Sequence, residues 1–368
     1  MERPRIQRAS NRRAAIALGL LMASCRCAFA LDASLDISQY AHTAWKIREG
    51  AFKGIILAIA QTPDRYLWLG TEFGLLRFDG EKNVPWQPPA GEQLPSSNIT
   101  GLLAARDGTL WIGTLNGLAS WKDGKLIQYP ELAGQSVAAL LEDREEAVWA
   151  GAIGAPTGRL CEIRGGSVHC QGENGSLGYG VLSLWEDSKG NIWAGAITGL
   201  WRWKPGFPKR YPMTDPIPEI SSLTEGDNGA LLVSMPGGIR QFLDGKTDMY
   251  PLPATRPQFK PTRLLRDRDG SLWIGTQDRG LFHLHGGRLD VLAQSDGLSG
   301  DDILELFEDR EGNVWVSTTN GLDRFRDFAI PTISVKQGLS ASFVGSVQSA
   351  KDGSVWFSTS GGLNRWKN

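Results

Sequence analysis

The stretch TLWIGTLNGLASW, residues Thr109–Trp121, decides the fold of this chain. It pairs two short apolar runs across a Leu115-Asn116-Gly117 turn, and each run is too short for a helix. In Leu110-Trp111-Ile112-Gly113 the two-residue period of a strand puts Leu110 and Ile112 on one face and Trp111 and Gly113 on the other. Both faces are apolar, so both need cover. Reading outward, Ile99–Ala105 precedes an Arg106-Asp107-Gly108 turn, and Lys125–Tyr129 follows Asp123-Gly124, which makes four strands in one unit.

The unit recurs. Its anchors are Trp68, Trp111, Trp149, Trp193, Leu232, Trp273, Trp315 and Trp356, separated by 38 to 44 residues. A period near 41 with four short strands predicts a β-propeller, whose sheets stack radially with Trp filling the wedge between them. Helical repeats of similar length would not tolerate 45 glycines and 19 prolines. Each buried Trp removes about 150 to 250 Å² from water, a gross transfer energy on the order of 4 to 6 kcal/mol. The expected class is all-β.

Two closures fit the pattern. Eight units are countable, but the last ends after its third strand at Trp366, and Gln39–Ile47 supplies a lone strand at the start. The turn between third and fourth strands is Gly-containing in the first six units, yet the seventh reads Asp327-Phe328-Ala329-Ile330-Pro331. That change favours seven blades over residues 31–330, with 331–368 beginning a second propeller. A single eight-bladed ring is the alternative.

Residues 1–30 carry Arg3, Arg5, Arg8, Arg12 and Arg13, an apolar run from Ala14 to Ala23 and Ala28-Phe29-Ala30, the pattern of a signal peptide. Export to the periplasm or beyond is therefore expected. Without that segment 33 basic and 39 acidic residues remain, and no basic stripe with interleaved aromatics argues for nucleic acid. No later apolar run is long enough for a membrane span. Cys161 and Cys170 flank CEIRGGSVHC; with Gly165-Gly166 as a two-residue turn they face each other, and a disulfide is expected.

The phrase D-x-x-G-x-[LIV]-W-[IAV]-G-T-x-x-G-L-x-R-[FW], seen as YLWLGTEFGLLRFDG from Tyr66, SLWIGTQDRGLFHL from Ser271 and NVWVSTTNGLDRF from Asn313, resembles the two-component regulator propeller repeat. That family occurs in periplasmic sensor regions of bacterial histidine kinases. The resemblance spans about residues 38 to 367 and implies a sensory, ligand-binding propeller that is not itself an enzyme, with a histidine kinase or downstream signalling module as partner. The fifth unit, ALLVSMPGGIRQF from Ala230, departs by losing Trp and the following Gly.

Ligand contacts are expected on the face shared by the second-to-third and fourth-to-first strand loops. The candidates are Glu72, Phe73, Asn116, Tyr179, Phe259, Lys260, Asp278, Arg279 and Asn320, aromatic faces beside polar groups that suit a small polar ligand or glycan. No cofactor and no metal site is expected: His283 and His285 share a strand face but read as a solvated outer strand, and His42 and His169 lack obvious partners. Asp107, Asp269 and Asp352 read as turn caps rather than calcium ligands. Two other functions remain open: a stand-alone protein-interaction propeller, and a secreted lyase or glycosidase using Glu72 and Asp278. The Asp-Gly-x-x-Trp phrase also resembles the sialidase Asp-box and the repeats of streptogramin lyase, but scaffold likeness does not transfer activity.

Overall fold

The computed structural model describes residues 31–366, except 33–34, 205–207, 212, 214–218, 254–258 and 328–332. The expected signal peptide, residues 1–30, lies outside them, as does most of the turn after Asp327. Among the described residues there are seven four-stranded antiparallel sheets and one of three strands, with only short 3-10 turns besides. The chain is an all-β propeller.

The second unit shows how the sequence builds a sheet. Its strands are Ile99–Ala104, Leu110–Thr114, Gly117–Lys122 and Lys125–Tyr129, paired in that order. All five residues of Leu110–Thr114 are buried, and their two faces enter different cores. Leu110 and Ile112 pack with Trp68, Leu75 and Ile99 of the first interface. Trp111 packs with Leu118, Val137 and Val148 of the second. Gly113 sits against the next sheet so closely that a Cβ there would lie 2.1 Å from the Val137 carbonyl oxygen. The fifth and seventh units carry Ser instead of Gly at this position, and its hydroxyl bonds the neighbouring carbonyl: Ser234 to Pro261 at 2.9 Å, and Ser317 to Ile56.

The Ser317–Ile56 bond joins the seventh sheet to the first. A second set of contacts runs the same way. The last residue of each first strand reaches back to the preceding sheet's first turn: Glu142 accepts from Arg106 N at 2.9 Å, Glu186 from Arg144 N at 2.9 Å, and Glu225 from Ser188 N at 2.7 Å. Between fifth and sixth sheets the polarity reverses, and Arg266 donates to Asp227 at 2.6 Å. At the first-to-second junction the equivalent residues are Pro63, without an N–H, and Ala104, without an acceptor. Arg310 N of the seventh sheet donates to Gln61 Oε1 of the first at 2.7 Å. Strand β1 (Ala41–Lys46) pairs with Gly321–Arg326 and is the outermost strand of that seventh sheet. Contacts between first strands thus run from sheet to sheet and return to the start.

The three-stranded sheet, Val344–Ser349, Val355–Thr359 and Gly362–Trp366, is different: its first strand is exposed along its whole length.

Two expectations about histidines need correction. His283 and His285 lie in a third strand, Leu281–His285, and are buried, because the N-terminal turn Ile37–Gln39 and Tyr40 cover that hairpin. His42 has partners: its Nε2 is 2.8 Å from Asp323 Oδ1 and its ring stacks on Phe325 at 4.7 Å.

Candidate functional site

The G-T-x-x-G phrase makes a turn in which the Thr hydroxyl works in both directions. Thr114 Oγ1 donates to Gly117 O at 2.9 Å and accepts from Asn116 N at 3.2 Å; Thr71 and Thr318 accept in the same way from Phe73 and Asn320. Gly117 takes φ of 144°, which L side chains rarely adopt. The turn presents its two central side chains outward.

These turns are stitched to the fourth-to-first loops, so the two loop sets do share one face. Leu115 N donates to Asn98 O, Gly134 N to Asn116 O, Gly154 N to Tyr179 O, Gln277 N to Lys260 O and Ile47 N to Asn320 O, all at 2.9 to 3.0 Å. Asn116, Tyr179, Lys260 and Asn320 therefore spend their carbonyls on the scaffold.

Phe73 is 67% and Tyr179 63% exposed, unusual for aromatic rings in a folded chain. Glu72 is half-buried beside Gly54. Lys260 Nζ lies 3.8 Å from Glu219, and Arg279 Nε 4.0 Å from Asp278. Burial and then the Asp278 charge raise the Asp302 carboxyl while Lys260 opposes them, so these groups form one charged cluster spanning the loops around the sixth sheet. Phe259 departs from the expectation of an exposed face: it is 8% exposed and packs on Phe282 at 5.4 Å, within the core cluster of Leu264, Leu272 and Ile274. The candidates are distributed over the loops of several sheets.

Two concave features were missed by reading the sequence. One is a cavity of about 620 Å³ lined by Lys53, Thr71, Phe73, Asn83, Trp86 and Gln87. It joins two aromatic residues to cationic and amide groups, the composition of a polar-ligand site. The other is the central channel, where first strands line a space of about 210 Å³ and Arg263 Nε meets Glu305 Oε2 at 3.2 Å. A lone charge inside each apolar first strand, PTRLLR and ILELFE, is the signal that could have found that pair.

The opposite face holds the propeller together. Asp143, Asp187, Asp267 and Asp309 each accept from the indole Nε1 six residues on, at 2.7 to 2.9 Å, and from turn amides. The fifth sheet loses both members at once, carrying Gly226 and Leu232. Asp107 and Asp352 accept from Thr109 N and Ser354 N, the expected capping role, whereas in the sixth unit Asp267 accepts from Ser271 N. Burial raises Asp187, but bonds from Trp193 and Asn191 outweigh it and hold the carboxyl below its ordinary range. At Glu308 burial wins, aided by Asp267 and Asp269, and pushes the carboxyl up to about 7 despite Arg268.

Cys161 and Cys170 are cross-strand partners 4.0 Å apart at Cα and form a disulfide. No helix among the described residues is long and apolar enough to cross a membrane.

The family model described as two component regulator propeller matches residues 93–116, 260–278 and 297–320. Each match ends within or just before the close of a loop-face turn. A search of curated proteins returned no significant relative. Among solved structures, the extracellular domain of a putative one component system from B. thetaiotaomicron is 18% identical, with a TM-score of 0.66 over 90% of this chain and 53% of that one. The extracellular domain of a putative hybrid two component system from the same organism is 19% identical, with a TM-score of 0.70 over 89% of this chain and 48% of that one. This chain spans about half their length. A catalytically inactive virginiamycin B lyase from Staphylococcus aureus, solved with quinupristin, is 13% identical, with a TM-score of 0.62 over 78% of this chain and all of that one. At such identities the likeness is one of fold. The chain is a β-propeller, and three of its segments match the two component regulator propeller model.

Proposed function

We propose that this chain is an exported, non-catalytic sensory propeller of a two-component system, reading a small polar ligand or glycan on its loop face. In this reading residues 41–326 close a ring of seven blades, and residues 331–368 begin a second propeller. The ligand would pass its occupancy to a histidine kinase or another signalling module. The observation that carries the reading is the cavity of Lys53, Phe73, Asn83 and Trp86, because it places the exposed Phe73 ring and the half-buried Trp86 ring beside hydrogen-bonding groups on the loop face of a propeller with this repeat. Loops built on a rigid scaffold are where binding residues concentrate.

A thermal-shift screen of mono- and oligosaccharides and polar metabolites tests it, since a ligand bound only by the folded state raises the melting temperature. At least one compound should stabilise the protein, and Phe73→Ala or Trp86→Ala should abolish the shift. A screen without hits, or a shift untouched by both substitutions, would remove this cavity from the account. Turnover of the compound would overturn the non-catalytic part.

A further inference from the structure

The hairpin Leu281–His285 and Arg288–Leu292 turns at Gly286-Gly287, with His283 opposite Asp290 and His285 opposite Arg288. His283, His285 and Asp290 therefore share one face of the hairpin, and a ligand atom from each lies within 4.8 Å of the others. His283 is 0% exposed, enclosed by Trp273 at 4.2 Å and Tyr40 at 5.8 Å, and neither of its ring nitrogens has a hydrogen-bond partner among the described residues. Buried polar groups are nearly always paired, so an orphaned imidazole calls for an explanation, and an ion is one of the few available.

From this juxtaposition we propose that His283, His285 and Asp290 bind a divalent transition-metal ion, with Zn²⁺ as the best fit. Two nitrogens and one carboxylate oxygen form a borderline donor set suited to Zn²⁺, whereas Ca²⁺ and Mg²⁺ take oxygen ligands. Zn–N bonds of about 2.0 to 2.1 Å in a tetrahedron place ligand atoms roughly 3.3 Å apart. His285 Nε2 and Asp290 Oδ2, hydrogen-bonded at 2.6 Å, would exchange that bond for the ion and part by about 0.7 Å, while His283 closes by about 1.5 Å at most. Ile37 N donates to Asp290 Oδ2 at 3.2 Å, so the ion would fasten the N-terminal turn over the sixth sheet.

The test uses the whole purified protein, stripped by chelator, then titrated with ZnCl2 by calorimetry and with CoCl2 by visible absorption. One equivalent of Zn²⁺ should bind and raise the melting temperature, and Co²⁺ should give the intense d–d bands of a tetrahedral site. His285→Gln and Asp290→Asn, which leave the most buried ring in place, should each weaken Zn²⁺ by at least about tenfold. His42→Gln, which alters the separate His42–Asp323 pair, should leave affinity unchanged. Sub-stoichiometric binding to the wild-type protein, or full affinity in both hairpin variants, would overturn the proposal. Loss in His42→Gln with retention in the hairpin variants would also overturn it, by placing the ion elsewhere.

Discussion

Replacing Asp187 by Ala removes a clamp that the structure makes quantitative. Its Oδ2 accepts from Trp193 Nε1 at 2.8 Å and from Asn191 Nδ2 at 2.6 Å, and its Oδ1 accepts from the amides of Lys189 and Asn191 at 3.0 and 2.8 Å. The Trp193 indole is buried, so orphaning its N–H costs about 1 to 3 kcal/mol. The turn amides lie nearer the surface and resolvate at a further cost of about 0.5 to 1.5 kcal/mol. Asp187→Ala should therefore destabilise by about 2 to 4 kcal/mol. At about 2.1 cal/mol/K per residue over 368 residues, each kcal/mol lowers the melting temperature by about 1.3 °C, giving a fall of roughly 3 to 5 °C. The informative comparison adds Trp193→Phe, which keeps an aromatic ring against Tyr211 and Phe242 but lacks the N–H. In that background only the turn cost remains. A double-mutant cycle by urea denaturation should give a coupling of about 1 to 3 kcal/mol. Strict additivity would refute the clamp and leave Asp187 as a turn cap alone. The fifth sheet carries Gly226 and Leu232, with both members replaced, whereas the second keeps Trp111 with Ala105 in place of the Asp.

Three further outcomes follow from the geometry. Gln61→Ala cuts the Arg310 N bond and the 2.7 Å bond to Glu311 that join the seventh sheet to the first, and should cost about 1 to 3 kcal/mol, with increased amide exchange in strand β1; no change in either would contradict the closure. Reducing Cys161–Cys170, whose loop spans a separation of 9, should lower unfolding free energy by about 2 to 3 kcal/mol in a denaturant titration, and reductant should have no such effect on the Cys161→Ala/Cys170→Ala protein. Glu308, raised from 4.5 to about 7 in the folded state, contributes stability fully below about 4.5 that is lost as pH rises through 7. Measured against Glu308→Gln, the wild-type melting temperature should therefore fall from pH 5 to 8; a difference between the two proteins that does not change with pH would rule this group out.

The scaffold was legible because its signals are local. Strand parity in Leu110–Gly113, the Gly at turn positions and the Gly165-Gly166 count that aligned Cys161 with Cys170 each depend on neighbours a few residues away. What was not legible depends on partners far along the chain. Gln61 and Arg310 are 249 residues apart, and their pairing follows only once the ring is closed. His283 read as a solvated strand because its cover, Ile37–Tyr40, comes from the other end of the sequence. Phe259 read as a displayed aromatic because nothing local shows that it packs on Phe282. The candidate site divides along the same line: Phe73 came from a regular turn and was found exposed, while Lys53 and Trp86 come from irregular loops and needed the fold to bring them beside it. The Asp of the repeat was visible but its use was not, although its loss together with Trp in the fifth unit was there to be read.

The central claim is that the loop face, not the clamp face, reads the ligand. Hydrogen–deuterium exchange on the whole protein, with and without a stabilising compound from the screen, tests it most directly. The account predicts protection at residues 52–54, 71–76 and 83–87, with the Asp143, Asp187, Asp267 and Asp309 turns unchanged. Protection confined to those Asp turns, with the loop face unaltered, would contradict it.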